Sequence, residues 1–558
     1  MIPRLLLFLL LAIALGSCNQ RSSTGGLPAN TVVIGIPGDV NSFNPLYSSE
    51  VTAGEINELL FPMLVSSEFD TAVGMLRFTP NLARNWETNP QKTAIRFHLA
   101  SDAKWSDGIP VRAYDVQFTY ALYGDPEVGS VWQSVLDGLR RTDKGELEVK
   151  HAIEVLDDST VVFHFTRPYP GQLFDAGLPI LPAHVFSKIP KRELRTHQVN
   201  QYPTGAAPFR LERHIQMQDI VLASNPSSTL PYPAKLKELV FRILPDYHSR
   251  IHQLKSGNID IMTGIELEDV LQIQKQSPEI RIVSVAARRY HFIGWNNIDP
   301  VAWNESRGKK IRAHPLFGTA NVRRALTMAV NRSDLTVSLL GDFATEAFGP
   351  VSPMFRWAYN DSLKPLPFDP LAAIRILSEE GWTDANGDGI LEKNGKRFTF
   401  VLKLPTGNAV WAAVANVVQQ RLRDIKIEVR IEQVERSVFW PDLINKKYDA
   451  WVAGFEVPLE IRLDNYWASD LEKFQFNVVS YRNRSVDKLL ERIRAVPDVL
   501  ASAADIKQLQ AILLQDQPCT FLFWERGRIG VNRRVLGVHS SILGSTHDAW
   551  NWQTVTGK

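Results

Sequence analysis

Residues Thr93 to Tyr120 read TAIRFHLASDAKWSDGIPVRAYDVQFTY. Their opening alternates, with Ile95, Phe97 and Leu99 on one face and Arg96 and His98 on the other. That period of two marks a half-buried strand ending near Leu99. Asp107-Gly108 supplies turn chemistry, because an Asx side chain bonds nearby backbone and Gly tolerates a positive φ. Trp105 is placed to pack over that turn. After Pro110 a helix is expected, with Asp115 in its first turn, where a carboxylate suits the helix dipole. A strand that passes through a turn into a helix is the building unit of an α/β protein.

The same alternation of element types runs outward in both directions. Thr31 to Ile36 is β-rich and opens the folded part, and Thr160 to Phe165 is a β-branched and aromatic run. Leu239 to Ile243 reads as a strand, His248 to Ser256 as a helix, Gly257 as its stop and Ile259 to Met262 as the next strand. Asn321 to Val330 is expected to be a helix capped by Asn321, with Val322, Leu326, Ala329 and Val330 inward. Phe398 to Leu402, Ile425 to Ile431 and Tyr448 to Val452 are further strand candidates, separated by helical stretches such as Val410 to Leu422. The Pro-rich stretch Leu363 to Pro370 is a loop.

At 558 residues the chain exceeds one ordinary core, so two or three domains are expected. With 62 basic and 60 acidic residues it lacks the clustered basic excess that nucleic-acid binding needs. Met1 to Arg4 carries one positive charge, Leu5 to Leu15 is unbroken apolar sequence, and Gly16-Ser17 precede Cys18. This run is too short to span a bilayer and long enough for the h-region of a signal peptide. Leu15-Gly16-Ser17-Cys18 resembles a bacterial lipobox, which implies cleavage at 1–17 and lipidation of Cys18. Asn19 to Asn30 then reads as a flexible tether. The other cysteine, Cys519, has no partner if Cys18 is lipidated.

The stretch Thr93 to Tyr120 resembles the signature of the family-5 extracellular solute-binding proteins, the oligopeptide- and dipeptide-binding lipoproteins of bacterial ABC importers. The resemblance continues in order. It includes Ser42-Phe43-Asn44-Pro45-Leu46, Pro80-Asn81-Leu82-Ala83 with Trp86, Leu244 to Met262, the helix ending at Asn331-Arg332, Ala372 to Ile390, and Asn477 to Leu490. It implies a periplasmic-binding-protein-like α/β fold (type II, cluster C), with two large lobes around a ligand cleft and a third, smaller lobe. The implied division is a signal peptide at 1–17, a tether at 18–30, lobe I at 31–75, 201–286 and 520–558, a small lobe II at 76–200, and lobe III at 287–519. The implied function is capture of a peptide or peptide-like solute by lobe closure and delivery to an inner-membrane permease with cytosolic ATPases. The protein would be a monomer in the cell envelope, facing the periplasm or exterior, with no cofactor and no catalytic residue. A non-peptide solute (nickel chelate, haem, sugar or opine) and a lipid-anchored hydrolase are the alternatives.

Two departures from the family pattern are visible in the backbone. Arg112 stands where a Thr-like helix cap is usual, and Ala207 where a second Gly is usual. Asp384, Asn386 and Asp388-Gly389 match the start of a calcium loop, but Gly395 holds the place of the bidentate Glu, so an Asx-rich turn is the better reading. His248 and His252 have the spacing of a zinc pair without a third ligand and are assigned to a solvated helix face. Among the fourteen tryptophans, Trp105 and Trp382 fall in structural motifs, whereas Trp295 and Trp467 are cleft candidates. In peptide-binding relatives a strand and Gly-Trp lead to an Asp that pairs with the ligand's α-amino group. Here Gly454-Phe455-Glu456 follows the strand, and Pro458 or Leu459 occupies the Asp position. Glu456 or Asp464 is expected to supply the missing charge, and Phe455 the aromatic contact. The candidate binding residues are therefore Trp295, Phe455, Glu456, Asp464 and Trp467.

Overall fold

The computed structural model describes residues 27–555 apart from 49, 145 and 497. The apolar leader and Cys18 lie outside them. An eleven-stranded mixed sheet is the frame of the molecule. Its order from one edge is Glu428–Val434, Thr399–Pro405, Ala450–Glu456, Ile280–Trp295, Cys519–Asn532, Ile261–Thr263, Thr31–Ile36, Glu238–Ile243, Asp219–Ser224 and Phe209–Ile215, with Ala344–Glu346 also pairing Cys519–Asn532.

Two central strands, Ile280–Trp295 and Cys519–Asn532, run antiparallel through the whole frame. Residues 280–285 pair with 527–532, and 289–294 with 519–525, with an irregularity between Val285 and Arg289. Sequence explains the break. Cys519–Asn532 reads CTFLFW-ERGR-IGVN, apolar at both ends and charged in the middle. Each apolar end enters a different core. Val283, Ile529 and Val531 pack with Val32, Ile34 and Phe241 in one half, whereas Phe292, Phe521 and Trp524 pack with Phe355 and Trp467 in the other. Further clusters cover the opposite face of each half.

A four-stranded antiparallel sheet, ordered Ala83–Thr88, Ala94–Leu99, Thr160–His164, Ile153–Asp157, packs on the first half. It contains the strand that opens the stretch quoted above. Ile95 and Phe97 are buried and Arg96 is exposed, as the alternation requires. Phe97 meets Phe163 edge-on at 5.5 Å, and Tyr120 of helix Ala113–Tyr123 meets the same ring at 4.9 Å. Trp105 is fully buried. Arg112 does not leave the helix uncapped. The Asp115 carboxylate accepts the Arg112 backbone N–H at 2.8 Å, the reciprocal half of a capping box.

Several sequence expectations shift in the structure. The helix Ala320–Met328 is capped by the Thr319 hydroxyl, which accepts the Val322 N–H, so Asn321 is not the cap. Asn321 instead donates to Glu380 at 2.8 Å. Ala207 is not in left-handed backbone. Close approach is the constraint at its neighbour Gly205, where a Cβ would collide with the Leu60 carbonyl. In the Asp384 loop, Asn386 Oδ1 accepts the Asp388 N–H at 2.9 Å and Asp384 Oδ2 pairs with Lys426 at 2.8 Å. The turn's oxygens thus already serve the loop's own backbone and a lysine.

The first strand and the segment just after the second central strand are tied together in the first half. Arg534 makes a bidentate pair with the buried Asp260, both contacts at 2.6 Å. Asp260 also accepts the Val33 N–H, and Arg534 donates to the Thr31 carbonyl. Planar two-point pairing of this kind fixes geometry as well as charge.

Candidate functional site

The two halves of the frame enclose a cavity of about 400 Å³. One wall comes from the hairpin Val65–Asp70 and Met75–Pro80 and from the segment 167–175. The other comes from Phe355, Trp357, the loop 459–464 and helix residues 490–494. At the edges the walls touch. Phe69 of the hairpin lies 6.3 Å from Phe355 and packs on the second half's core. Gly74, at φ +80°, fits against the backbone of 354–356, where a Cβ would strike the Met354 carbonyl. Gly171 faces the Glu460 carboxylate, which a Cβ would approach to 2.8 Å.

Deeper, an apolar recess adjoins the cavity and is lined by Tyr290, Val351, Phe355, Pro458, Ile461 and Trp467, among others. Trp467 is 3% exposed, and its indole N–H has no hydrogen-bond partner among the described residues. A buried indole normally finds an acceptor.

Charges on the cavity wall are mostly matched. Glu460 pairs with Arg462 at 3.0 Å, and Asp464 with Arg494 at 3.6 Å. Asp175 accepts the Tyr169 hydroxyl at 2.6 Å. Burial and then the Asp175 charge push Tyr169 far above the ordinary phenol range. Burial works against the charge of Arg462, but Glu460, Asp175 and Asp464 outweigh it and raise its pKa. Arg167 lies 5.3 Å over the Tyr169 ring and donates to the Arg494 carbonyl at 3.4 Å.

The structure brings two of the five expected residues to this site. Asp464 lines the cavity and Trp467 the recess. Phe455 stands one layer behind, packed on Phe292 at 5.3 Å and Tyr466 at 5.3 Å. Trp295 is not a cleft residue. It is fully buried in the second half's core and donates to Thr520 at 3.0 Å. Glu456 does not line the cavity either. The strand expected to end before Gly454 runs on to Glu456 and pairs it opposite Arg289. Its carboxylate bonds Arg288 at 3.3 Å and Arg289 at 3.2 Å, beside the break in the central strands. Sequence reasoning missed Glu460 and Arg462, although Pro458-Leu459-Glu460-Ile461-Arg462 follows that strand directly. It also missed Arg167, Tyr169 and Phe355, which only the tertiary fold brings near.

Residues 77–457 match the model of the bacterial extracellular solute-binding proteins, family 5 Middle. The oligopeptide-binding protein AppA of Bacillus subtilis is 28% identical over 550 residues, covering 95% of this chain and 94% of that protein. The periplasmic oligopeptide-binding protein OppA of Haemophilus influenzae is 23% identical over 502 residues, covering 87% and 86%. The solved structure of B. subtilis AppA in complex with a nonapeptide matches with a TM-score of 0.71 at 25% identity, over 95% of this chain and 100% of that one. The ABC transporter substrate-binding protein CtaP of Listeria monocytogenes reaches 0.78 at 18% identity, over 94% and 99%, a likeness of fold alone. The mixed α/β, multi-lobed architecture is that of type II periplasmic binding proteins. With a two-walled cleft in such a frame and a family model spanning most of its length, the chain belongs to the bacterial extracellular solute-binding proteins of family 5.

Proposed function

We propose that this chain captures a peptide in the cleft between its two halves and delivers it to a membrane permease of an ABC importer. The cavity of about 400 Å³, walled by two separate cores, carries the reading. Full-length similarity to oligopeptide-binding proteins supports the solute class. The halves are joined through the central strands, at 286–288 and at 526. Closure is a rotation about those two crossings, with the closed form docking on the permease. Lobe I comprises 31–75, 201–286 and the C-terminal part, lobe II 76–200, and lobe III the segment from 287. The C-terminal limit is drawn at 526 rather than 520, because Cys519 to Glu525 pair with the lobe III part of the central strand. The protein works as a monomer and by binding without turnover. Isothermal calorimetry with a short-peptide panel tests this. One-to-one binding with unchanged peptide recovered afterwards is expected, and hydrolysis or no binding contradicts it.

Anchoring through Cys18 is part of the proposal. No helix among the described residues is long and apolar enough to cross a membrane. A signal peptide ending at Ser17 and acylation of Cys18 would hold the protein on the envelope, with each buried methylene contributing about 0.8 kcal/mol. Cys18→Ser is expected to abolish membrane fractionation of the mature form. A cleaved variant that still sediments with membranes refutes the anchor.

A further inference from the structure

A second open depression, of about 330 Å³, lies on the half built from residue 287 onward. Its wall includes Trp303, Arg307, Ile444, Lys446, Leu471 and Glu472, and none of its residues lines the cleft. Lys446 stands four residues before the seven-residue strand Ala450–Glu456, and the cleft loop 459–464 follows that strand's other end. Such a strand is about 20 Å long, so the two spaces are separate.

Lys446 is an unexpected residue for its place. It is 2% exposed. It follows the helix Arg436–Ile444 in left-handed backbone, at φ 58°, where Gly or Asn is the ordinary choice. Its ammonium donates to the Gln475 carbonyl at 2.7 Å, and no carboxylate pairs with it among the described residues. An ammonium has three donors, so two lack a protein partner there. Burial pushes its pKa down to about 8, which leaves the group mostly charged at pH 7. A buried charge without a counter-charge is costly, and left-handed backbone at a long side chain adds to the cost. A neutral residue would serve the turn at less cost, so packing alone does not account for a lysine here.

The rest of the wall supplies what the ammonium lacks. Arg307 is also in left-handed backbone, at φ 52°, and its guanidinium has no hydrogen bond or ion pair among the described residues. Next to it, Gly308 fits against Trp303 and Glu472. A Cβ there would stand 3.3 Å from the indole and 3.5 Å from Glu472 Oε1. Glu472 forms no ion pair with either cation, so the wall holds two positive charges against one negative. Trp303, Ile444 and Leu471 contribute apolar surface.

We propose that this depression binds a small organic carboxylate, its anionic head at Lys446 and Arg307 and its apolar body against Trp303, Ile444 and Leu471. One excess positive charge suits a monoanion, and Glu472 repels a second anionic group. The guanidinium offers paired donors in the plane of a carboxylate. The buried ammonium gains the counter-charge that the fold itself omits. Nothing in this site depends on what the cleft binds.

Benzoate and its neutral analogue benzamide, titrated by calorimetry at pH 7 and fixed ionic strength, test the site. Benzoate is expected to bind one-to-one, and benzamide about tenfold or more weaker. Lys446→Met keeps the length of the buried stem and removes the charge. It should hold or raise the melting temperature without ligand, and weaken benzoate to the level of benzamide. Arg307 is exposed, so Arg307→Gln should leave the melting temperature unchanged and weaken benzoate about threefold or more, with benzamide unaffected. Equal affinity for benzoate and benzamide overturns the proposal, and so does wild type that binds neither. A folded Lys446→Met variant that keeps wild-type benzoate affinity overturns it as well. If Lys446→Met fails to fold, Arg307→Gln decides alone, and unchanged benzoate affinity in that variant refutes the site.

Discussion

Glu525 stands where the second central strand leaves one core for the other, and it is held from two sides. The His291 Nε2–H donates to it at 2.9 Å, and Arg528 pairs with it at 2.9 Å. His291 is fixed in that tautomer because the Trp411 indole N–H donates to its Nδ1 at 2.8 Å. Burial pushes the Glu525 carboxyl up, but the His291 hydrogen bond and the Arg528 charge outweigh it and hold it at about 2. A carboxyl lowered on folding stabilises the fold above its unfolded value of 4.5, and that stabilisation drains away as pH falls from 4.5 toward 2. Urea unfolding of wild type and Glu525→Gln at pH 6 and pH 3 checks this. The stability gap between them should shrink at pH 3, and an equal gap at both contradicts it. At this scale the sequence was a partial guide. Asp464 and Trp467 could be placed near a site because they follow a strand end in an α/β protein. Trp295 and Glu456 have the same chemistry, but whether a side chain faces core, hinge or cleft depends on strand length and register. An error of a few residues in where a strand ends reassigns every side chain beyond it.

The elements themselves were easier to read where one face is wet. Ala94–Leu99 shows its alternation because the small sheet buries one side. The helix Ala320–Met328 was placed correctly, but its start was not. Asn321 and Thr319 are both good caps, and the hydroxyl that meets the Val322 N–H is that of Thr319. Thr319→Ala is expected to cost about 1 kcal/mol in chemical denaturation, and Asn321→Ala less than that. The opposite ranking would restore Asn321 as the cap. The two central strands went unread for a physical reason. Each carries a polar or small break, Ala286-Ala287-Arg288-Arg289 in one and Glu525-Arg526-Gly527-Arg528 in the other. In sequence such a break looks like a turn between short strands. In the structure it is where a continuous strand passes between two cores.

At the scale of the whole molecule, those breaks set the mechanics. Arg288 donates to the Val457 carbonyl on one half and the Ile542 carbonyl on the other, so one guanidinium spans the crossing. Arg528 does the same between Glu525 and the Ile265 carbonyl. The crossings are therefore held by a few polar contacts, whereas each half has its own apolar core. Rotation there costs little burial, and the edge contacts at Phe69, Gly74 and Gly171 define a closed stop. Small-angle X-ray scattering of the same protein with and without a saturating peptide tests this most directly. The radius of gyration should fall when peptide is added and return when it is removed. Stoichiometric peptide binding with an unchanged radius would contradict closure about the two crossings.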